Sequence, residues 1–149
     1  MNKIIAAALG LLISTNAIAA ETRIGAVSTT WRLLGPNDKI VVERFDDPKV
    51  TNASCYLSRA ETGGVMGSIG LASDPNRFSI ACRATGKIKI TGDVAESEVV
   101  FGAQTSAFFK TLRVTRMFDP GKSVLVYLVW STELINGSPF NSVTAIPTE

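Results

Sequence analysis

The chain has 149 residues, 46% of them hydrophobic, and sets 15 Lys and Arg against 13 Asp and Glu for a net charge of +2. Its basic residues are dispersed, with no run of three, and with the near-neutral balance this argues weakly against nucleic acid or anionic lipid as a partner, because both are held by clustered Lys and Arg. The chain contains no histidine, so Ser-His-Asp and Cys-His catalysis are excluded, together with the common zinc and non-haem iron sites.

Residues 1–20 have the three parts of a secretory signal peptide in the right order. Lys3 supplies a positive start, Ile4 to Ile13 is uncharged, and Ser14-Thr15-Asn16 is a polar break before Ala17-Ile18-Ala19-Ala20. The apolar run rises about 15 Å as a helix, half of a hydrocarbon core about 30 Å thick, so it is too short for a membrane anchor. Cleavage is expected after Ala19 or Ala20, each of which leaves a small residue at the cut. Removing 20 of 149 residues leaves 129, room for a single domain with a hydrophobic core. Loss of Lys3 lowers the net charge to +1. With no second long apolar run, the mature protein is expected to be soluble outside the cytoplasm and not membrane-embedded.

From residue 21 onward, apolar residues recur mostly with period two in short runs between Gly, Pro, Asn and Asp clusters, the pattern of an all-β domain. The pattern predicts strands over Arg23 to Val27, Trp31 to Leu34, Lys39 to Phe45 and Ser54 to Ala60. Further strands follow over Phe78 to Ala84, Lys87 to Thr91, Glu98 to Phe101, Lys110 to Phe118 and Ser123 to Ser131. Turns are expected at Gly35-Pro36-Asn37-Asp38, Asp46-Asp47-Pro48, Asp74-Pro75-Asn76, Thr85-Gly86, Gly92-Asp93 and Asp119-Pro120-Gly121-Lys122. Helix is confined to two short candidates, Gly63 to Ala72 and Ala103 to Phe109.

Every residue from Val124 to Trp130 is apolar or aromatic, which predicts a central strand covered on both faces. It pairs by hairpin with Lys110 to Phe118, where Leu112 and Val114 alternate with Arg113 and Thr115. About nine short strands suit an antiparallel β-sandwich or a β-barrel, and periodicity does not choose between them.

Cys55 and Cys82 are the only cysteines. An even pair in an exported chain predicts a disulfide. Alternation puts Cys55 with Leu57, and Cys82 with Phe78 and Ile80, so the bond should face inward. No second cysteine lies close enough in sequence to make a metal site, and no cofactor motif is present.

A carboxylate pair remains available for acid and base catalysis, and its candidates are Glu43 with Asp46, Asp47 or Glu61. The plainer reading of Asp46-Asp47-Pro48 is a turn in which Asp bonds its own backbone. Arg59 falls on the face of Cys55 and Leu57, where Glu43 or Glu61 is the natural partner. The glycines at 63, 64, 67 and 70 fit neither the phosphate-loop nor the dinucleotide pattern and read as a structural loop. Between the cysteines, Thr62 to Arg77 is longer than a hairpin connection and carries Val65, Met66, Ile69 and Leu71. It is either a lid over the core or a partner-contact loop on a rigid scaffold.

The stretches Lys39 to Pro48, Cys55 to Ala60 and Thr62-Gly63-Gly64 resemble the CreA family of small exported bacterial proteins. So do Glu98 to Phe101, Thr105-Ser106 with Phe109-Lys110, and Gly137-Ser138-Pro139. The resemblance implies a periplasmic location, supports the disulfide, and brings no catalytic residues and no assigned molecular activity. The chain is therefore expected to be a non-catalytic β-domain that binds a periplasmic protein or envelope component. A carboxylate-based hydrolase and a small-ligand carrier are the alternatives.

Overall fold

The computed structural model describes residues 21–64, 73–94, 97–102, 112–135 and 137–149. Among the described residues, eight strands form two four-stranded sheets, ordered β1-β2-β3-β4 and β5-β6-β7-β8. The first contains β1 (Thr22–Ser28), β2 (Lys39–Asp46), β3 (Val50–Glu61) and β4 (Ser73–Ile90). The second contains β5 (Glu98–Gly102), β6 (Leu112–Asp119), β7 (Val124–Ile135) and β8 (Ser138–Pro147). All neighbours pair antiparallel, so two meanders stack as a β-sandwich.

Alternation decides what lies between the sheets. Val41, Glu43 and Phe45 of β2 turn inward, as do Ala53, Cys55, Leu57 and Arg59 of β3. Across from them, β6 buries Leu112, Val114 and Arg116, and β7 buries Leu125, Tyr127, Val129 and Ser131. Phe45 of β2 stacks on Phe101 of β5 with ring centroids 4.6 Å apart, joining the two sheets. The edges of β4 and β8 also meet, where the Cys82 amide donates to Thr144 Oγ1 at 3.2 Å.

Several predicted elements change. Residues 31–34 are not a strand but part of the connection between β1 and β2. The predicted strands at 78–84 and 87–91 are one strand, because Thr85-Gly86 forms a bulge instead of a turn. Opposite that bulge Asn52 takes φ 65°, and its Nδ2 donates to the Lys87 carbonyl at 2.8 Å. Asp74-Pro75-Asn76 likewise lies within β4, at the register shift opposite Arg59 and Ala60, where a proline is tolerated. Strand β8 has no counterpart in the sequence reading. Ser142 and Thr144 replace the apolar residues of a patterned strand, and only Ile146 is buried.

The β6–β7 hairpin and the inner position of β7 are as read from the sequence. One face of β7 is fully buried, but Val126, Leu128 and Trp130 on the other are half-buried. The two helix candidates fall almost wholly outside the described residues.

Candidate functional site

Cys55 and Cys82 are directly opposed on β3 and β4 and are joined, with Cα atoms 4.0 Å apart and both side chains buried. From this apolar centre the inner face of the first sheet becomes charged toward the β1–β2 connection. Arg59 Nε and Nη2 donate to Glu43 Oε2 and Oε1, each at 3.0 Å, and Nη2 also lies 3.7 Å from Glu61. Lys39 Nζ reaches Glu61 at 2.9 Å and Arg23 reaches it at 3.3 Å. Burial raises the Glu61 pKa, but the Lys39 hydrogen bond and the charges of Lys39, Arg23 and Arg59 outweigh it and leave the group below its ordinary value.

A second polar cluster sits inside the sandwich. The β2–β3 turn sends Asp47 inward, where Arg116 Nη1 donates to both carboxylate oxygens at 2.6 and 2.7 Å. Tyr127 Oη donates to Asp47 Oδ2 at 3.0 Å, and the Lys49 amide donates to Oδ1 at 2.8 Å. Arg116 also bonds Glu98, which takes Lys49 Nζ at 2.8 Å. Burial, then the Asp47 charge, pushes the Tyr127 hydroxyl far up, so it stays a donor. Glu98 is held below its ordinary value, first by the Lys49 hydrogen bond and also by the Arg116 charge.

At the charged end of the first sheet, residues 29–38 form an ordered loop around Asp38. Arg32 Nη2 donates to both Asp38 oxygens at 2.9 and 2.8 Å, Thr30 Oγ1 donates to one at 3.1 Å, and the Gly63 amide to the other at 2.7 Å. The Arg32 hydrogen bond, then that of Gly63, lowers the Asp38 pKa. The Arg32 amide bonds Asn37 Oδ1 at 2.7 Å, and the Gly64 amide bonds the Pro36 carbonyl at 2.6 Å. Close approach makes glycine necessary at 63, where an added Cβ would lie 2.0 Å from the Pro36 oxygen. With its polar groups bonded to one another at the surface, the loop leaves Trp31, Leu33 and Leu34 at 78%, 82% and 78% exposed. Large apolar side chains on a pinned loop are characteristic of contact surfaces.

Of the sequence-predicted polar residues, Glu43, Arg59 and Glu61 come together, and Asp46 and Asp47 make other contacts. Glu43 is committed to Arg59 and Asp47 to Arg116, while Asp46 accepts from Ser54 Oγ at 2.6 Å on the outside. The Lys49 amide on Asp47 is the expected Asp turn. Val65, Met66, Ile69 and Leu71 lie outside the described residues. No group of three or more Cys, Asp or Glu that could hold a metal gathers among the described residues. No helix among them is long and apolar enough to cross a membrane.

Sequence reasoning missed Arg116, Tyr127 and the exposed loop. Alternation from Leu112 and Val114 signals that Arg116 faces inward. The signal for the loop is Trp31, Leu33 and Leu34 running straight into Gly35-Pro36-Asn37-Asp38, a turn cluster that ends any strand.

The family described as CreA protein matches residues 24–149. Protein CreA of Escherichia coli strain K12 is 43% identical over 140 residues, covering 91% of this chain and 89% of the relative. The proteins of the same name from E. coli O6:H1 and O157:H7 give the same figures. No solved structure matches significantly.

Proposed function

The chain belongs to the CreA family, and from that premise we propose that it is a non-catalytic binding protein of the bacterial cell envelope. In this reading residues 1–20 direct export to the periplasm and are removed, leaving 21–149 as the working domain. The three-part leader and a buried disulfide, a bond that oxidising compartments preserve, support export. The observation that carries the binding role is the outward display of Trp31, Leu33 and Leu34 on a loop whose polar groups are already committed. Catalysis by a carboxylate pair is disfavoured because Glu43 and Asp47 are each neutralised by a different buried arginine. Immobilised protein should retain an envelope component, and Trp31→Ser with Leu33→Ser should abolish that retention. Equal retention by parent and variant would refute the loop as the contact. Mass spectrometry of the exported protein should find its N-terminus at Ala20 or Glu21, and an intact leader would refute cleavage.

A further inference from the structure

We propose that the 29–38 loop docks on a phospholipid surface, with Trp31, Leu33 and Leu34 entering the boundary between headgroups and acyl chains. The inference rests on the envelope-binding reading and narrows it to one partner chemistry.

Three large apolar side chains of the loop stand at 78% exposure or more, and a fluid interface receives such groups without a matching groove. An indole suits that boundary, since its ring is apolar and its N–H is polar.

Backbone that leaves water must carry its hydrogen bonds with it. This loop does so at several points: the Thr29 amide donates to the Asp38 carbonyl at 2.8 Å, the Arg32 amide to Asn37 Oδ1 at 2.7 Å, and the Asp38 amide to Thr30 Oγ1 at 3.0 Å.

The charges around the loop favour phosphate. In the Arg32–Asp38 pair the arginine side chain is 41% exposed and the carboxylate 25%, and in Arg23–Glu61 the figures are 46% and 27%. In both pairs the cation is the more exposed member. Counting Lys39, the group carries three positive and two negative charges. A net positive charge beside exposed apolar side chains is complementary to an anionic headgroup layer above an acyl phase.

The test uses the protein recovered from expressing cells and vesicles of phosphatidylethanolamine with phosphatidylglycerol, beside vesicles of phosphatidylcholine alone. Trp130→Phe leaves Trp31 as the only tryptophan. On mixed vesicles Trp31 emission should shift to the blue and be quenched by lipids brominated on the acyl chain. The chain with both tryptophans should co-sediment with mixed vesicles more than with phosphatidylcholine. Trp31→Ser with Leu33→Ser, made in the same chain so that any retained leader is common to both, should weaken co-sedimentation by about tenfold or more. Unchanged Trp31 emission at millimolar lipid, or equal sedimentation of parent and loop variant, overturns the proposal. If lipid binding fails while loop-dependent retention of a periplasmic protein persists, the lipid assignment falls and the envelope-binding reading stands. Loss of both removes both.

Discussion

The Asp47 cluster and the 29–38 loop each organise a stretch of chain around one aspartate, and they solve opposite problems. Asp47 is carried into the core and surrounded there by Arg116, Tyr127 and a backbone amide, so the turn that bears it is tied to the second sheet. Asp38 stays at the surface and draws Arg32, Thr30 and Gly63 around it, so the apolar side chains between them point outward. In the first region polar bonding supports burial of the neighbouring chain. In the second it holds apolar groups in water, an arrangement that stability alone does not require.

That contrast predicts a steep difference in sensitivity. Arg116→Ala should have the largest effect, about 3 to 5 kcal/mol in equilibrium unfolding, because it leaves Asp47 buried without its counter-charge. A change below about 1 kcal/mol would mean that the cluster is hydrated and not a core element. Adding Asp47→Asn to Arg116→Ala should recover part of the loss, since the pair is coupled.

Next in size is the disulfide. Its sequence separation of 27 corresponds to about 3 to 4 kcal/mol on the chain-entropy account, so Cys55→Ser with Cys82→Ser should lower the melting temperature by several degrees or more. Free thiols in protein taken from its native compartment would contradict the bond.

Acidification should act more gently. Glu98, Glu61 and Asp38 all have folded pKa values below their ordinary ones of 4.5, 4.5 and 3.8. Depressed carboxylates add stability that is present above those ordinary values and is lost as pH falls through the lower folded ones. Tyr127 shifts the other way, so its contribution is full below its ordinary value of 10.0 and is lost only in stronger alkali. The melting temperature should therefore be level from about pH 5.5 to 9 and fall on either side. A midpoint still rising between pH 6 and 8 would be inconsistent with these shifts.

Much of the sheet architecture was readable because period two survives wherever one face packs and the other meets water. The strands around Val41, Leu57 and Val114 show it, as does the inward disulfide. Strand β8 escaped because an edge strand with Ser142 and Thr144 facing in has no apolar period to read. The Thr85-Gly86 turn signal misled because Asn52 on the neighbouring strand supplies the bond that converts it to a bulge. Glu43 and Arg59 were nameable as partners from alternation alone. Asp47 and Arg116 are 69 residues apart and meet only once the sheets stack, so no local pattern announces them. The residues 31–34 read as a strand because three large apolar residues predict burial, whereas the chain there is held by bonds to Asp38 that include one from the distant amide of Gly63.

The smallest expected effect is the most direct test of the account, which holds that the 29–38 loop serves contact and not folding. Urea unfolding of Trp31→Ser with Leu33→Ser should place the variant within about 0.5 kcal/mol per site of the parent, while its retention of the envelope partner is lost. Destabilisation beyond about 2 kcal/mol would show instead that these side chains are packed in the native fold, and would contradict the account.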